Sequence, residues 1–434
     1  MGSHLDPAPL LPRLQRLAGR LLEGVQPPPV ALVRQRVEPP VLEDLEGEAR
    51  AEVRRVLSGT PPRRLAVGVG SRGVAGIGRI VGAVVEELRE LGFEPFVVPA
   101  MGSHGAATAE GQAALLTGYG VDPALIRATM ETEVVGQVDG LDVHVDRNVV
   151  EAGAVFLVNR VKPHTSFRGP VESGLAKMCA IGLGKQAGAA IMHSRGPAGL
   201  RHLIPAGARL VAESGLLLGG LAVLENQRDE TAALRGLGPT EVGGEAEAAL
   251  LDEARRLMPR IPFADLDVLV VERMGKDVSG AGMDTNVVGR LRVTGQPEPE
   301  PTAVTSIVVL DLTEASHGNA MGVGTADFTT ARLLGKIDFE ALYANGLTAG
   351  VIGNRRVAIP YVMPTDLAAV CAAIASRGRQ APLRLAWIVD TLHVELLGVS
   401  PALLEEARER DDLEVVREPQ PMPFDGEGRL RPLV

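Results

Sequence analysis

Leu65-Ala-Val-Gly-Val69 runs on through Gly70-Ser71-Arg72-Gly73 into a helical pattern that reaches Leu91, and the chain returns as Pro95-Phe-Val-Val-Pro99. Two short apolar runs on either side of a segment with helical spacing read as a βαβ unit. Further apolar runs at 141–145 and 155–158 extend the same sheet. This repetition predicts an α/β fold with a doubly wound, mostly parallel sheet. The composition agrees, because aromatic residues make up only 3% and Trp387 is the single tryptophan. A core of Val, Leu, Ala and Ile is that of buried parallel strands covered by helices.

At 434 residues the chain exceeds one ordinary core, so two domains are expected. Residues 5–62 mix short amphipathic helices with Pro27-Pro-Pro29 and Pro39-Pro40 and read as a wrapping arm. A long amphipathic helix over 239–258 ends at the proline-flanked joint 259–262, which sets the boundary. The expectation is therefore an N-terminal α/β domain, 1–262, and a smaller C-terminal α/β domain, 263–434, with the active site in the cleft between them. Strands of the second domain are expected near 268–271, 306–310, 356–359 and 385–389.

The net charge of −10 and the lack of any extended basic run argue against nucleic acid as a partner. Small anions remain accessible, since a few local cations and backbone N–H groups suffice to hold them. Cys179 and Cys371 stand far apart and form no metal or disulfide pattern. No run approaches the roughly 18 to 20 apolar residues of a membrane span, and no basic-then-apolar leader is visible, so a cytoplasmic protein is expected.

The chemistry concentrates where strands end. Gly68-Val-Gly70-Ser71-Arg72-Gly73 is a literal GxGxxG after a strand and before a helix. A dinucleotide site would also want a carboxylate at the end of the second strand, and that strand ends Val98-Pro-Ala-Met101. Arg72 beside helix N-terminal amides makes a carboxylate clamp the better reading. The second strand delivers Met101-Gly-Ser-His104-Gly105 to the edge where open α/β sheets bind ligands. The fourth run exits as Asn159-Arg-Val-Lys162-Pro-His164-Thr-Ser-Phe-Arg168-Gly169, a cation-rich loop with a histidine. Lys177 then sits among small apolar residues, where desolvation makes an amine nucleophilic. Lys185 follows in similar company, and His193 ends the next amphipathic stretch. In the second domain Glu272-Arg-Met-Gly-Lys276-Asp277-Val-Ser-Gly280 forms a substrate-facing loop, and Ser316-His317 lies in another.

His104 in Gly-Ser-His-Gly, His164 in Lys-Pro-His-Thr, and Lys177 followed sixteen residues later by His193 together resemble the lactate racemase family, which uses a nickel-pincer nucleotide. The resemblance runs from about residue 60 to the end and implies an isomerase, a racemase or epimerase of 2-hydroxy acids. It implies a pyridinium-3,5-bisthiocarboxylic acid mononucleotide tethered to Lys177 as a thioamide, with nickel bound by His193. His104 and His164 would be the catalytic acid/base pair, one for each face of the substrate. Arg72, Lys276 and Asp277 would bind substrate, while Gly70, Ser71 and Lys185 would line the cofactor. Val69 stands three residues before Arg72, where the family usually carries Asp, so a divergent member and a larger hydroxy or sugar acid are expected.

The implied partners are a small 2-hydroxy acid and the proteins that build the cofactor, with neither nucleic acid nor membrane; the oligomeric state, homodimer included, is left open. Two other readings stand beside this one. An NAD-dependent oxidoreductase would use the Gly68 to Gly73 turn, and a non-catalytic homologue would keep only metal or nucleotide binding.

Overall fold

The computed structural model describes residues 4–70, 73–299, 303–378 and 382–433. The chain divides into two compact units, 39–258 and a second made of 1–38 with 259–434. Residues 4–38 therefore group with the C-terminal unit, whereas the sequence predicted an arm belonging to the N-terminal one. The reason is β1 (Val30–Gln35), which pairs antiparallel with two strands near the C-terminus and buries Val30, Ala31 and Val33 completely. With that transfer the two units are nearly equal in length, which corrects the expectation of a smaller second domain.

In the unit 39–258 the strands are β2 (Arg64–Val69), β3 (Glu94–Pro99), β4 (Thr132–Val138), β5 (Leu141–Asp146), β6 (Val155–Arg160), β7 (Leu217–Glu225) and β8 (Thr231–Leu237). Five of them form one sheet in the order β3-β2-β6-β7-β8, parallel except for the β7–β8 hairpin. The unbroken apolar runs follow from burial on both faces. Val155 and Leu157 face one core while Phe156 and Val158 face the other, and β2 and β7 alternate in the same way. The run at 141–145 does not join this sheet. It pairs with β4 as a separate ribbon, turned by Asp139 and Gly140 with positive φ of 51° and 74°. An Asp-Gly pair suits a tight hairpin turn, whose two central residues both need positive φ.

The unit built from 259–434 and β1 holds β9 (Leu266–Met274), β10 (Val304–Leu312), β11 (Phe328–Thr330), β12 (Tyr361–Met363), β13 (Leu385–Ile388), β14 (Leu396–Val399) and β15 (Leu413–Gln420). They form an eight-stranded sheet, β12-β11-β10-β9-β13-β14-β1-β15, parallel from β12 to β13 and antiparallel beyond. The strand expected at 356–359 is absent. Arg356 instead ends the short helix Gly353–Arg356, and its buried guanidinium donates to the Leu291 carbonyl at 2.9 Å. Among the described residues no helix is long and apolar enough to cross a membrane.

Candidate active site

The segment carrying Lys177 and His193 is built around an irregular helix. Gly174 takes φ +78°, and a Cβ there would lie 2.3 Å from Glu247 Oε1, so only glycine fits. Glu247, on the helix Glu245–Leu257, accepts hydrogen bonds from the N–H groups of Leu175 at 2.6 Å, Ala176 at 3.2 Å and Gly243 at 2.8 Å. It thereby caps the first turn of Gly174–Lys177. Burial pushes the Glu247 acid up to about 7, against the downward pull of those three donors. Directly after Lys177 the chain makes a π-helical turn, Met178–Gly182, before the helix Lys185–His193. Such turns concentrate at functional sites.

Lys177 is half-buried, with Nζ 5.9 Å from the centre of the Phe167 ring. His193 Nδ1 lies 2.6 Å from the carbonyl oxygen of Ala189. A carbonyl only accepts, so Nδ1 carries the proton and the neutral ring offers its Nε2 lone pair. Crowding by surrounding protein lowers the His193 pKa; the Ala189 bond opposes this, and the charge of Lys177 adds to it. That charge also places Lys177 and His193 in one electrostatic neighbourhood.

His164 is fixed in the opposite tautomer. The backbone N–H of Ser166 donates to its Nδ1 at 3.1 Å, so the neutral ring carries its proton on Nε2. The ring packs on Phe167 at 4.5 Å between centroids, tilted by 39°. His164, Phe167 and Lys177 therefore form one row. The loop is held by Glu172, fully buried, which accepts from the His164 N–H at 2.8 Å, the Gly169 N–H at 3.2 Å and Arg255 at 2.8 Å. Arg168 turns back to the His164 carbonyl at 2.6 Å, and Ser173 Oγ clips the Lys162 backbone at 2.7 Å. Arg255 and Glu247 sit two turns apart on one helix, so a single element braces both the His164 loop and the Lys177 segment.

His104 is exposed on the loop that leaves β3. Gly102, at φ +58°, donates its N–H to the Gly182 carbonyl at 3.1 Å, which seats this loop on the π-turn. Buried Gln112 donates to the carbonyls of Gly102 at 2.9 Å and His104 at 3.2 Å. Lys185 reaches the Gln112 oxygen at 3.4 Å, the Pro99 carbonyl, and Asp146 at 2.8 Å. Lys185 and Asp146 are both fully buried, and burial lowers the pKa of the amine and raises that of the carboxyl, so Lys185 is an interior structural residue. This corrects its assignment as a cofactor contact: its amine is consumed inside the unit.

Gly70 lacks a side chain for a local reason, because a Cβ would lie 2.3 Å from Asn159 Oδ1, and Asn159 in turn donates to the Gly174 carbonyl. Ser71 and Arg72 lie outside the described residues. The helix after this turn begins only at Ile77, behind Gly76 at φ +66°, rather than at Gly73. Glu225, paired with Arg160, accepts the Ala75 N–H at 2.8 Å just before that helix. A carboxylate so placed disfavours a pyrophosphate there, which counts against the dinucleotide reading. Lys276 and Asp277 lie in the other unit. There Lys276 donates to Gly280 O and Asn345 Oδ1, each at 2.8 Å, and Asp277 accepts from Thr313 at 2.5 Å. Asp146, Gln112, Glu172, Glu247 and Arg255 are the supporting residues that the sequence reading missed.

Among the described residues no group of three or more His, Cys, Asp or Glu side chains is arranged to hold a metal ion. No family model and no curated protein matches the chain. Several solved structures resemble part of it, among them the following two. One is a protein of Thermotoga maritima, 16% identical, covering 61% of this chain and 70% of that one, with a TM-score of 0.43. The other is the lactate racemase apoprotein of Thermoanaerobacterium thermosaccharolyticum, 13% identical, covering 65% and 74%, with a TM-score of 0.42. Likeness at this level assigns no role to any residue.

Proposed function

We propose that this protein is an isomerase that inverts the α-carbon of a 2-hydroxy acid, lactate-like or larger, with a nickel-pincer nucleotide tethered to Lys177. The observation that carries the reading is the pair of fixed tautomers. His193 keeps a lone pair on Nε2, as a metal ligand must, while His164 keeps an N–H there, which can hydrogen-bond to a substrate oxygen. The donor set fits the group: one half-buried amine for attachment and one neutral imidazole for nickel, with no protein-only metal cluster required. When bound, that group supplies a reversible acceptor for the substrate's α-hydrogen as hydride.

The protein's own residues manage the protons. Abstracting an α-hydrogen as a proton from a hydroxy acid is costly, whereas taking the hydroxyl proton as the hydride departs avoids a carbanion. His104, on its exposed loop, takes the hydroxyl proton of one enantiomer, and His164 serves the other face. For His164 to give or take a proton at Nε2 it must alternate between the imidazolium and the tautomer protonated on Nδ1; both carry a hydrogen on Nδ1 and release Ser166 N–H, so loop rearrangement accompanies that step. Arg72 would hold the substrate carboxylate through a bidentate fork, with Gly70 and Ser71 beside the nucleotide.

The test is racemisation by protein made together with the cofactor-synthesis proteins, offered enantiopure 2-hydroxy acids deuterated at the α-carbon. Inversion with the label retained is expected, and replacement of His104 or His164 by Ala should slow both directions by about 100-fold or more. Label lost to solvent would indicate a carbanion route and end the hydride reading. Loaded protein that inverts none of the acids would favour the non-catalytic alternative.

A further inference from the structure

We propose that the N-terminal rim of the five-stranded sheet, at the far end of β3 from His104, is a binding site for a phosphorylated small molecule. Arg64 opens β2, Arg89 lies in the last turn of the helix Ile77–Glu90, and Arg127 is tied to β3 by its backbone N–H, which donates to the Val97 carbonyl at 2.8 Å. These three arginines, with Glu94 and Phe96 among others, line a cavity of about 330 Å³. That volume falls at the lower end of small-ligand pockets, roughly 300 to 1,000 Å³. The six residues of β3 span roughly 17 Å, which separates the cavity from the histidine loops.

The arginines are set up as donors. Arg64 and Arg127 stack over the one Phe96 ring, with Cζ 4.9 and 5.4 Å from its centroid. A guanidinium drawn to a ring face spends no N–H hydrogen bond on that contact, so its N–H groups remain available to an acceptor. Among the described residues none of the three side chains makes a hydrogen bond or an ion pair. Nearby arginines behave differently: Arg50, Arg54 and Arg79 are all paired with glutamates. Glu94 is the register neighbour of Arg64 on the next strand and is not paired with it. In a chain with a net charge of −10, three arginines converging on one cavity against one carboxylate form a local excess of positive charge.

The geometry selects among anions. A carboxylate is planar and is saturated by one or two forks, whereas a phosphate or diphosphate presents enough oxygens for three. The concave shape and the small number of cations fit a soluble metabolite better than a nucleic acid, whose binding needs an extended basic surface.

Calorimetric titration of the full-length protein with inorganic pyrophosphate at low ionic strength tests the site. Binding is expected for the wild type, with affinity falling about a hundredfold in the Arg64→Ala/Arg127→Ala double variant, since each of the two forks lost is worth about a factor of ten. The Arg64→Lys/Arg127→Lys variant keeps the charge but loses the forks, and should also bind more weakly. All three arginines are exposed, so unchanged circular dichroism and melting temperature are expected for both variants. Malonate, titrated in parallel, should bind more weakly than pyrophosphate. No binding of pyrophosphate to the wild type, or binding unaltered in the alanine double variant, overturns the site. Malonate binding as tight as pyrophosphate overturns the phosphate assignment.

Discussion

Glu247→Gln probes the brace beneath Lys177. Glu247 is almost fully buried, and its acid is pushed from an ordinary 4.5 up to about 7. Between those two values the native protein holds a proton that the unfolded chain has released. Stability therefore falls as pH rises through this window, by up to about 1.4 kcal/mol per pH unit and about 3 kcal/mol in all. Glutamine stays neutral throughout and keeps an acceptor oxygen for Leu175 and Ala176. The assay is urea unfolding of wild type and variant at pH 5 and pH 8, because their difference cancels every other titrating group. The wild type should lose about 2.5 kcal/mol relative to the variant between the two pH values. A difference that stays constant would refute the reasoning. So would one in which the wild type gains with pH, since the three N–H donors would then outweigh burial. Glu247→Ala should be worse at every pH, because it strips buried N–H groups of their acceptor at about 1–3 kcal/mol each.

Two further substitutions separate architecture from chemistry. Lys185→Ala leaves Asp146 buried without its partner and should cost about 3–5 kcal/mol in thermal or urea unfolding, while Lys185→Met combined with Asp146→Leu should recover most of that loss. If Lys185→Ala left stability unchanged, the buried pair would not be the structural element described. Gly70→Ala places a Cβ 2.3 Å from Asn159 Oδ1 and should cost about 1–3 kcal/mol by displacing that carboxamide; wild-type stability would show that the glycine is not fixed by packing.

Much of this arrangement was legible in residue order. The apolar runs at 65–69, 95–99 and 155–158 are strands because residues of either parity meet a core, which also explains why they do not alternate with polar residues. Strand β1 escaped because its partners lie at the opposite end of the chain, so Val30-Ala-Leu-Val33 looked like part of a proline-rich arm. Lys177 and Lys185 have the same small, apolar neighbours in sequence. What separates them is Asp146, delivered by a hairpin far away in the chain. Glu247 did leave a signal: it occupies the same helical stripe as Leu250, Leu251 and Ala254, where a carboxylate must find buried partners. Gln112 sits likewise one turn before buried Leu116. The loop-fixing bonds of Ser166 and Ala189, which set the two histidine tautomers, involve only backbone groups and leave no mark in the residue types.

The central claim, that Lys177 is the attachment point of a nickel-pincer nucleotide, is tested most directly by intact mass. Protein made together with the cofactor-synthesis proteins should be heavier than protein made without them by the mass of one tethered nucleotide. Lys177→Ala should abolish that increment, whereas His193→Ala should retain the increment and lose tightly bound nickel. An increment that persists in Lys177→Ala, or a wild-type mass that does not change with the synthesis proteins present, would contradict the account.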